Sequence, residues 1–455
     1  MPKTIQSINP YSGEINAEFE LLNEQQLEAK IEKAQEAFLE WKETSFDYRK
    51  KMFHKLADVI DADVEKYAKL QTIEMWMLLW SSINGLKWTA NLIRWFANNA
   101  EKVLGEKEYD IEWTKWTSSY DPLGVIFGIA PWNFPYNQLL RAAVPNMLAW
   151  NTMVYKHASN VPLCAAQIED FFVKAWFPEW VYTNVFMSSS LSEQVIAHPH
   201  VRGVNLTGWE YAGSVIGALA WKYLKPSILE LWWNDPLLVL DHKDTQKMVS
   251  LTQSCRFNDG GQRCNSSKRF IVLDKHYDEF VESMKEFVEW LTYWDPLDAT
   301  TTIQPLAKAN GVAEIDSQVQ KSIEQWAELI IGWKIVGEQK TTYAPTILAN
   351  VQKWMTCYEE EIFGPVMSII KSSSVEESIQ IANDSDFWLS AVVFGDDTNE
   401  CIEVANKLIG GMIFINQPAW SKAHLPFGWV KKSGYGKENG AEWLKAFTNK
   451  KVLVY

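Results

Sequence analysis

The stretch GVIFGIAPWNFPYNQLLRAAVPNMLAWNTMVYKH, residues 124–157, contains the alternation that decides the fold. Its two ends, GVIFGIA and TMVYKH, are short apolar and β-branched runs, and NQLLRAAVPNMLAW between them is a helical segment. A strand, a helix and a second strand in this order predict parallel strands joined by a crossover helix. The runs YTNVFM and VRGVNLTG continue the pattern. The sequence therefore predicts an α/β fold with a parallel sheet.

A second alternating region indicates a second α/β domain. From about residue 236, LLVL and RFIVLD precede the helical segment YDEFVESMKEFVEWL, and the runs MSIIKSS, SAVVFGDD and GGMIFINQ follow.

Residues 24–104 have apolar side chains at helical intervals. The tail KAFTNKKVLVY ends as a strand that pairs at a sheet edge or with another subunit. With 455 residues, the chain is long enough for two or three domains.

Composition and charge disfavour several classes of protein. The formal net charge is −14 and no Lys/Arg run is present, so nucleic-acid binding is not expected. No apolar run approaches the ~18 residues of a membrane span, and the N-terminus lacks a signal-peptide pattern. Five scattered cysteines fit a reducing cytosol, so we expect a cytoplasmic protein. The HPH stretch at 198–200 lacks partners at metal-ligand spacing, and no metal site is predicted.

Three residues carry candidate chemistry, and each has a structural alternative. Cys264 in FNDGGQRCNSSKRF follows two glycines that allow a ligand to approach, and Arg263 favours the thiolate; the alternative is a buried core cysteine. Asn133, between two prolines at a strand end, either donates to an oxyanion or caps the next helix. Glu230 in ILELWWNDP is a carboxylate in an apolar run, which suits a general base or a structural salt bridge.

The signals for a nucleotide are weaker. Lys156 lies at the end of a predicted strand, where it would reach a cofactor ribose. LTGWE, residues 206–210, ends another strand at a glycine and opens a helix, and a helix N-terminus suits a phosphate. The chain has no complete G-x-G-x-x-G, so the common dinucleotide fingerprint is absent.

In their order along the chain, these motifs resemble the NAD(P)-dependent aldehyde dehydrogenase superfamily. The match runs through PWNFP, the strand lysine, LTG, LEL, GQRC, EEIFGPV and LPFGWVKKSGYGKE, over nearly the whole chain. The resemblance implies that the Cys264 thiolate attacks the aldehyde to form a thiohemiacetal. It implies that Asn133 and the Cys264 backbone N–H stabilise the oxyanion, and that Glu230 activates the water that hydrolyses the thioester.

The same resemblance implies a cofactor site. Lys156 would hold the adenosine ribose, and Glu361 with Phe363 would hold and pack the nicotinamide ribose. The other cofactor-binding candidates are Trp132, Ser159, Gly208 and Trp209. Family members that prefer NAD commonly have a glutamate three residues after the ribose lysine. Ser159 stands there and leaves room for a 2′-phosphate, so NADP is expected, with NAD also plausible.

Succinate semialdehyde is the expected substrate, because the motifs resemble the bacterial succinate-semialdehyde branch. Arg141 falls where that branch has an arginine that binds the substrate carboxylate; the alternative is a helix-surface residue. Asn258 replaces the branch's second arginine, and Arg263 is a possible substitute for it. Ser421 completes the predicted substrate site. Another small aliphatic or anionic aldehyde is the alternative substrate.

The family fold implies a division of the chain. A variant Rossmann cofactor-binding domain is expected at residues 1–230 and a catalytic α/β domain at 231–430. A small β oligomerisation extension would use residues of about 106–122, and 431–455 would form the return segment and the oligomerisation strand. A homodimer or homotetramer is therefore expected.

Many tryptophans stand at family glycine positions in a chain with 24 Trp and 22 Gly. These positions are Trp76, Trp150, Trp176, Trp180, Trp232, Trp233, Trp388 and Trp429, and Trp209 replaces a small residue at the start of the expected pyrophosphate-binding helix. An indole provides neither close backbone approach nor unusual dihedrals, so crowding of the cofactor cleft is expected. Three interpretations stay open. The fold has repacked around the indoles, or the chain that folds has other residues at these positions, or the chain is an altered, catalytically silent homologue.

Overall fold

The computed structural model describes residues 3–111, 113–293, 295–337 and 340–455, and its architecture is two large sheets covered by helices. The α-helices are Glu24–Trp41, Phe46–Ala62, Val64–Met75, Leu79–Leu104, Pro135–Leu148, Pro162–Lys174, Ser192–Ala197, Glu210–Lys222, Thr245–Arg256, Asp274–Glu289, Ala309–Glu324, Thr356–Glu359, Val375–Asn383, Thr398–Ala405 and Gly440–Lys445. Short 3₁₀ turns occupy Ser189–Leu191 and Asn258–Gly261.

The first sheet contains the opening stretch of the sequence analysis. Its order is Gly434–Tyr435, Ser227–Glu230, Val201–Thr207, Val125–Ile129, Thr152–Lys156 and Tyr182–Asn184. All neighbours are parallel except Gly434–Tyr435, which pairs antiparallel with Ser227–Glu230. Helix Pro135–Leu148 connects two adjacent parallel strands, as predicted.

Both faces of this sheet are buried, which explains its continuous apolar runs. Val125 and Phe127 pack on one face with Leu27 of the first helix, whereas Ile126 packs on the other face among the remaining N-terminal helices. Successive side chains of the strand thus enter opposite cores, as the period of a strand requires.

The second sheet has seven strands, in the order Glu328–Ile331, Thr346–Ala349, Val366–Ser372, Arg269–Leu273, Pro236–Val239, Ser390–Phe394 and Met412–Ile415. Only Glu328–Ile331 runs antiparallel to its neighbour. Leu237 and Val239 enter one core and Leu238 the opposite one. The two sheets confirm the predicted α/β class.

A third, antiparallel sheet joins distant parts of the chain, in the order Thr448–Val454, Thr114–Pro122 and Lys107–Ile111. The two-stranded ribbons are Thr4–Ile8 with Ile15–Glu20, Ile335–Val336 with Thr342–Tyr343, Phe387–Trp388 with Val430–Lys431, and Phe427–Gly428 with Lys437–Glu438. The domain boundaries at 230 and 430 stay predictions. Among the described residues, none of the helices is long and apolar enough to span a membrane.

Several tryptophans have the backbone conformation of glycine. Trp76, Trp150, Trp176 and Trp180, all expected at glycine positions, have φ of 66° to 67°. Trp76 follows helix Val64–Met75 in the left-handed conformation that commonly ends helices and that glycine usually adopts. These backbones have the unusual dihedrals predicted for glycine, and each L-residue there carries strain.

Candidate active site

The carboxyl ends of strands from the first sheet open onto a cleft of about 880 Å³, within the usual range for ligand pockets. All seven predicted cofactor-binding residues line it: Trp132, Lys156, Ser159, Gly208, Trp209, Glu361 and Phe363. Asn133 and Cys264 lie on its wall as well. The cleft therefore brings together residues that are up to 231 positions apart in the chain.

Cys264 follows a strained turn. Gly260 and Gly261 have φ of 61° and 70°, and a Cβ on Gly261 would overlap the carbonyl of Gly364. Glycine is therefore required there for the cysteine loop to pass close to a neighbouring backbone. The Cys264 carbonyl accepts a hydrogen bond from Lys268 Nζ at 2.7 Å, so both ends of the loop are held.

The electrostatics of the thiol are mixed. Burial raises the pKa of Cys264 and the carboxylate of Glu230 raises it further, whereas the positive charges of Arg141, Lys268 and Arg263 lower it. The sequence predicted that Arg263 favours the thiolate. Arg263 has that direction of effect, but burial outweighs it in this structure.

Asn133 bridges the strand end and the cysteine loop. Its Nδ2 donates to the carbonyl of Gln262 at 3.0 Å, and the side chain is buried. The following helix has Phe134 as its N-cap residue and no side-chain cap, so Asn133 does not serve as the helix cap. An amide has two N–H groups, so one is left for an oxyanion beside Cys264.

Glu230 and Arg141 form a buried ion pair. Arg141 Nη2 lies 2.9 Å from Glu230 Oε2, and Arg141 Nε lies 2.6 Å from Glu438 Oε2. All three side chains are at most 3% exposed. Burial raises the pKa of Glu230, Arg141 opposes this, and the neighbouring Glu438 carboxylate adds to it. A carboxyl with a raised pKa is suited to accept a proton near neutral pH.

Sequence reasoning missed Glu438, and it placed Arg141 differently. The GYGKE motif contained Glu438, but nothing in the local pattern showed that it would meet Arg141. The predicted role of Arg141 was to bind a substrate carboxylate. In the structure its guanidinium already faces two carboxylates and lies over the Phe427 ring, 4.7 Å from the centroid. The substrate role stays a prediction.

The other two predicted substrate residues are engaged in local contacts. Arg263 Nε lies 3.7 Å from Asp259 Oδ2, and its Nη2 donates to the Ala419 carbonyl at 3.5 Å. Ser421 Oγ accepts from Asn439 Nδ2 at 2.7 Å. Both residues lie apart from the lining of the 880 Å³ cleft, as do Glu230 and Arg141 within the described part of the chain.

Lys268 is a second residue that the sequence did not single out. Its Nζ lies 3.0 Å from Glu361 Oε1, and both side chains are buried. The other oxygen, Glu361 Oε2, accepts the backbone N–H of Trp233 at 3.3 Å. Lys268 therefore connects the cysteine loop to the carboxylate expected at the nicotinamide ribose.

The remaining cofactor residues fit a nucleotide. Lys156 ends its strand as predicted, and Gly208 and Trp209 precede helix Glu210–Lys222, whose first N–H groups lack a side-chain cap. The Trp209 indole lines the cleft and is 59% exposed, and the expected crowding of the cofactor cleft stays a prediction. Trp132 and Phe363 meet edge to face with centroids 5.7 Å apart.

Two indoles fill the other side of Cys264. Trp233 and Trp429 are 2% and 3% exposed, with ring centroids 5.9 Å apart. They form a small core with Leu389 and Phe427, against which Cys264 packs. Trp429 Nε1 is buried without an acceptor among the described residues, and such a donor costs free energy.

One cluster of potential metal ligands lies outside the cleft. His198 Nε2 lies 3.0 Å from Glu28 Oε1 and 3.4 Å from Glu32 Oε1, a contact from another helix that the HPH motif did not indicate. His198 Nδ1 accepts the backbone N–H of His200, so its Nε2 carries the proton and donates to the carboxylates. That tautomer suits a hydrogen bond rather than a metal.

Comparisons with known proteins match the whole chain. The profile of the aldehyde dehydrogenase family matches residues 1–453. The succinate-semialdehyde dehydrogenase [NADP(+)] of Deinococcus radiodurans is 34% identical over 447 residues, 98% of this chain and 94% of that protein. Succinate-semialdehyde dehydrogenase [NADP(+)] 1 of Mycobacterium tuberculosis H37Rv is 34% identical, covering 99% of both chains. The crystal structure of the Streptococcus pyogenes succinic semialdehyde dehydrogenase with NADP⁺ superposes with a TM-score of 0.96, at 35% identity and 99% coverage of both chains.

Proposed function

Because the chain belongs to the aldehyde dehydrogenase family, we propose that it oxidises succinate semialdehyde to succinate with NADP and with Cys264 as nucleophile. Family membership confirms the resemblance seen in the sequence and the aldehyde-oxidising enzyme class. The observation that supports the proposal most directly is the meeting of Cys264, Asn133 and the predicted cofactor residues in one cleft.

The residues of the chain divide the chemistry among them. The Cys264 thiolate attacks the aldehyde carbon, and the free N–H of Asn133 with the Cys264 backbone N–H holds the negative charge that forms on the oxygen. NADP, when bound, supplies the hydride acceptor that converts the thiohemiacetal to a thioester. Glu230 then takes a proton from water, whose oxygen attacks the thioester and releases the acid and the thiol.

Ser159 and the relatives support NADP as the cofactor. Ser159 lines the cleft three residues after Lys156 and contributes a hydroxyl where a carboxylate would repel a 2′-phosphate. The relatives described above are named for NADP, and the Streptococcus structure contains it. Lys156, Glu361, Phe363, Trp132 and the Gly208–Trp209 helix start would hold the nucleotide. The substrate proposal rests on the same relatives, since Arg141 is already paired with Glu230 and Glu438.

The direct test is reduced-cofactor formation from succinate semialdehyde with NADP and NAD in parallel. We expect turnover with a preference for NADP, and its loss in Cys264→Ala. The matched control is Cys401→Ala, because Cys401 is buried in helix Thr398–Ala405, away from the cleft. Equal turnover in Cys264→Ala would refute the nucleophile assignment, and equal rates with both nucleotides would refute the role of Ser159.

A second candidate, a catalytically silent homologue, is favoured by the indoles that pack against Cys264. The variant Trp233→Gly with Trp429→Gly separates the two proposals. If the indoles block the aldehyde, the natural chain is inactive and the double variant gains turnover. If the natural chain already turns over, the silent reading is wrong.

We further propose a cytoplasmic location and a homodimer or homotetramer. Residues 452–455 of the terminal strand region are apolar and exposed, at 47% to 63%. This strand pairs antiparallel with Thr114–Pro122, which in turn pairs with Lys107–Ile111, so the exposed apolar side chains lie at the edge of the small three-stranded sheet. A second subunit packed there would remove this apolar surface from water.

A further inference from the structure

Lys308 lies on the cofactor cleft although neither the motifs nor the family resemblance point to it. It directly precedes helix Ala309–Glu324 and lines the same cleft as Lys156. Its Nζ lies 5.7 Å from the centroid of the Trp132 ring, over the face of the indole. The side chain is half-buried, so its position is set by packing rather than by solvent.

Two lysines, Lys156 and Lys308, line the cleft, whose lining also includes the carboxylates of Glu193, Glu314 and Glu361. Burial and then the charge of Lys156 lower the pKa of Lys308, and burial lowers the pKa of Lys156. Neither makes a salt bridge to a carboxylate within the described ranges, in contrast to Lys268, which pairs with Glu361. Two half-buried cations that repel one another are unfavourable unless an anion joins them.

The position of Lys308 indicates which anionic group of a bound dinucleotide it would contact. It contacts Trp132, whose ring meets Phe363 at the end of the cleft expected to hold the nicotinamide ribose. Lys156, expected at the adenosine ribose, lines the same cleft. A group between those two riboses is the pyrophosphate. We propose that Lys308 binds the pyrophosphate of the dinucleotide, an inference that rests on the cofactor part of the proposed function.

Direct binding tests this role without any aldehyde. NADPH and NADH are titrated separately into the Cys264→Ala chain with Lys308 present or replaced, and binding is followed by nucleotide fluorescence and calorimetry. A charge-assisted contact to phosphate is worth roughly 1.5–3 kcal/mol, so Lys308→Met is expected to raise both dissociation constants by at least about tenfold. Lys308→Arg should recover most of the affinity. The binding of both nucleotides should also become less sensitive to salt.

Lys321→Met is the matched control, because Lys321 is exposed on the same helix and the substitution removes the same charge. Its dissociation constants should equal those of the parent chain. Thermal unfolding of each variant shows whether a loss of affinity comes from a loss of the folded state. A Lys308→Met chain that has the melting temperature of its parent and binds the nucleotides tenfold more weakly supports the proposal.

Three outcomes would overturn the assignment. Unchanged affinity for both nucleotides in Lys308→Met removes any phosphate contact. A loss confined to NADPH places Lys308 at the 2′-phosphate instead of the pyrophosphate. A parent chain that binds neither nucleotide refutes this inference together with the cofactor assignment. A chain that binds both through Lys308 but oxidises no succinate semialdehyde refutes only the proposed substrate.

Discussion

At the scale of single residues, several tryptophans occupy backbone conformations that favour glycine. Trp176 has φ 66° and is 78% exposed, so its backbone is strained while its indole, which contacts the Lys55 ammonium, buries little surface. A left-handed conformation costs an L-residue roughly 1–2 kcal/mol, and glycine adopts it freely. The same reasoning applies to Trp326, with φ 79° and 85% exposure.

We expect Trp176→Gly to raise the free energy of unfolding by about 1 kcal/mol, by relief of this strain. The matched control is Trp221→Gly: Trp221 is 79% exposed but lies in helix Glu210–Lys222, where glycine is unfavourable by up to about 1 kcal/mol. Denaturant unfolding of both variants measures the two effects. Destabilisation of equal size in both would show that φ at Trp176 is not the cause.

Lys268 acts on the nucleophile through charge. Its positive charge lowers the pKa of Cys264, so Lys268→Met is expected to raise that pKa and to reduce the thiolate fraction at any given pH below it. Alkylation of Cys264 by iodoacetamide, followed against pH, should shift to higher pH by about half a unit to one unit. Lys268→Arg keeps the charge and should restore the profile; an unshifted Lys268→Met profile would contradict this assignment.

At the scale of elements, one arginine joins three of them. Arg141 comes from helix Pro135–Leu148, Glu230 from the strand Ser227–Glu230 and Glu438 from the ribbon strand Lys437–Glu438. A buried ion pair adds little net stability, but removing one partner leaves buried charges uncompensated and commonly costs about 3–5 kcal/mol. Arg141 therefore positions Glu230, the proposed general base, as well as the backbone around it.

The cost of Arg141→Leu should depend on pH. Without the guanidinium, the pKa values of Glu230 and Glu438 rise further in the folded chain and keep their ordinary values when it unfolds. A carboxyl whose pKa is raised in the folded chain stays protonated at pH values at which the unfolded chain ionises it. Such a carboxyl therefore destabilises the fold as the pH rises above its pKa in the unfolded chain. Urea unfolding should therefore show a larger loss at pH 8 than at pH 5. A loss that is equal at both pH values would exclude this electrostatic origin.

At the scale of the whole molecule, the terminal strand is the proposed site of assembly. Thr448–Val454 pairs with Thr114–Pro122 along its whole length, yet Val452, Leu453 and Val454 remain 47% to 57% exposed. We expect deletion of residues 448–455 to convert the proposed oligomer to a monomer, because the apolar strand that a second subunit would cover is gone. Light scattering of the full and shortened chains measures the mass. An unchanged mass would place the interface elsewhere.

Much of the site could be predicted from sequence because its signals are local. Strand ends followed by helix starts place Asn133, Lys156 and Gly208 at one sheet edge, and Cys264 has its own glycine turn. Lys268, Lys308 and Glu438 gave no such signal. Their roles depend on neighbours in distant elements. Lys268 is 93 residues from Glu361, Lys308 is 152 residues from Lys156, and Glu438 is 297 residues from Arg141.

The sequence by itself determined the α/β class, the family and the residue types of the candidate site, because hydrophobic periodicity and the order of motifs along the chain do not depend on tertiary contacts. Only the tertiary structure decided the charge state of the site. Burial removes solvent screening, so the pKa values of Cys264 and Glu230 depend on which charged groups the fold brings within a few ångströms. The pairing of Arg141 with two carboxylates, and the lack of a salt bridge to Lys156 or Lys308 within the described part of the chain, are results of packing that no local pattern encodes.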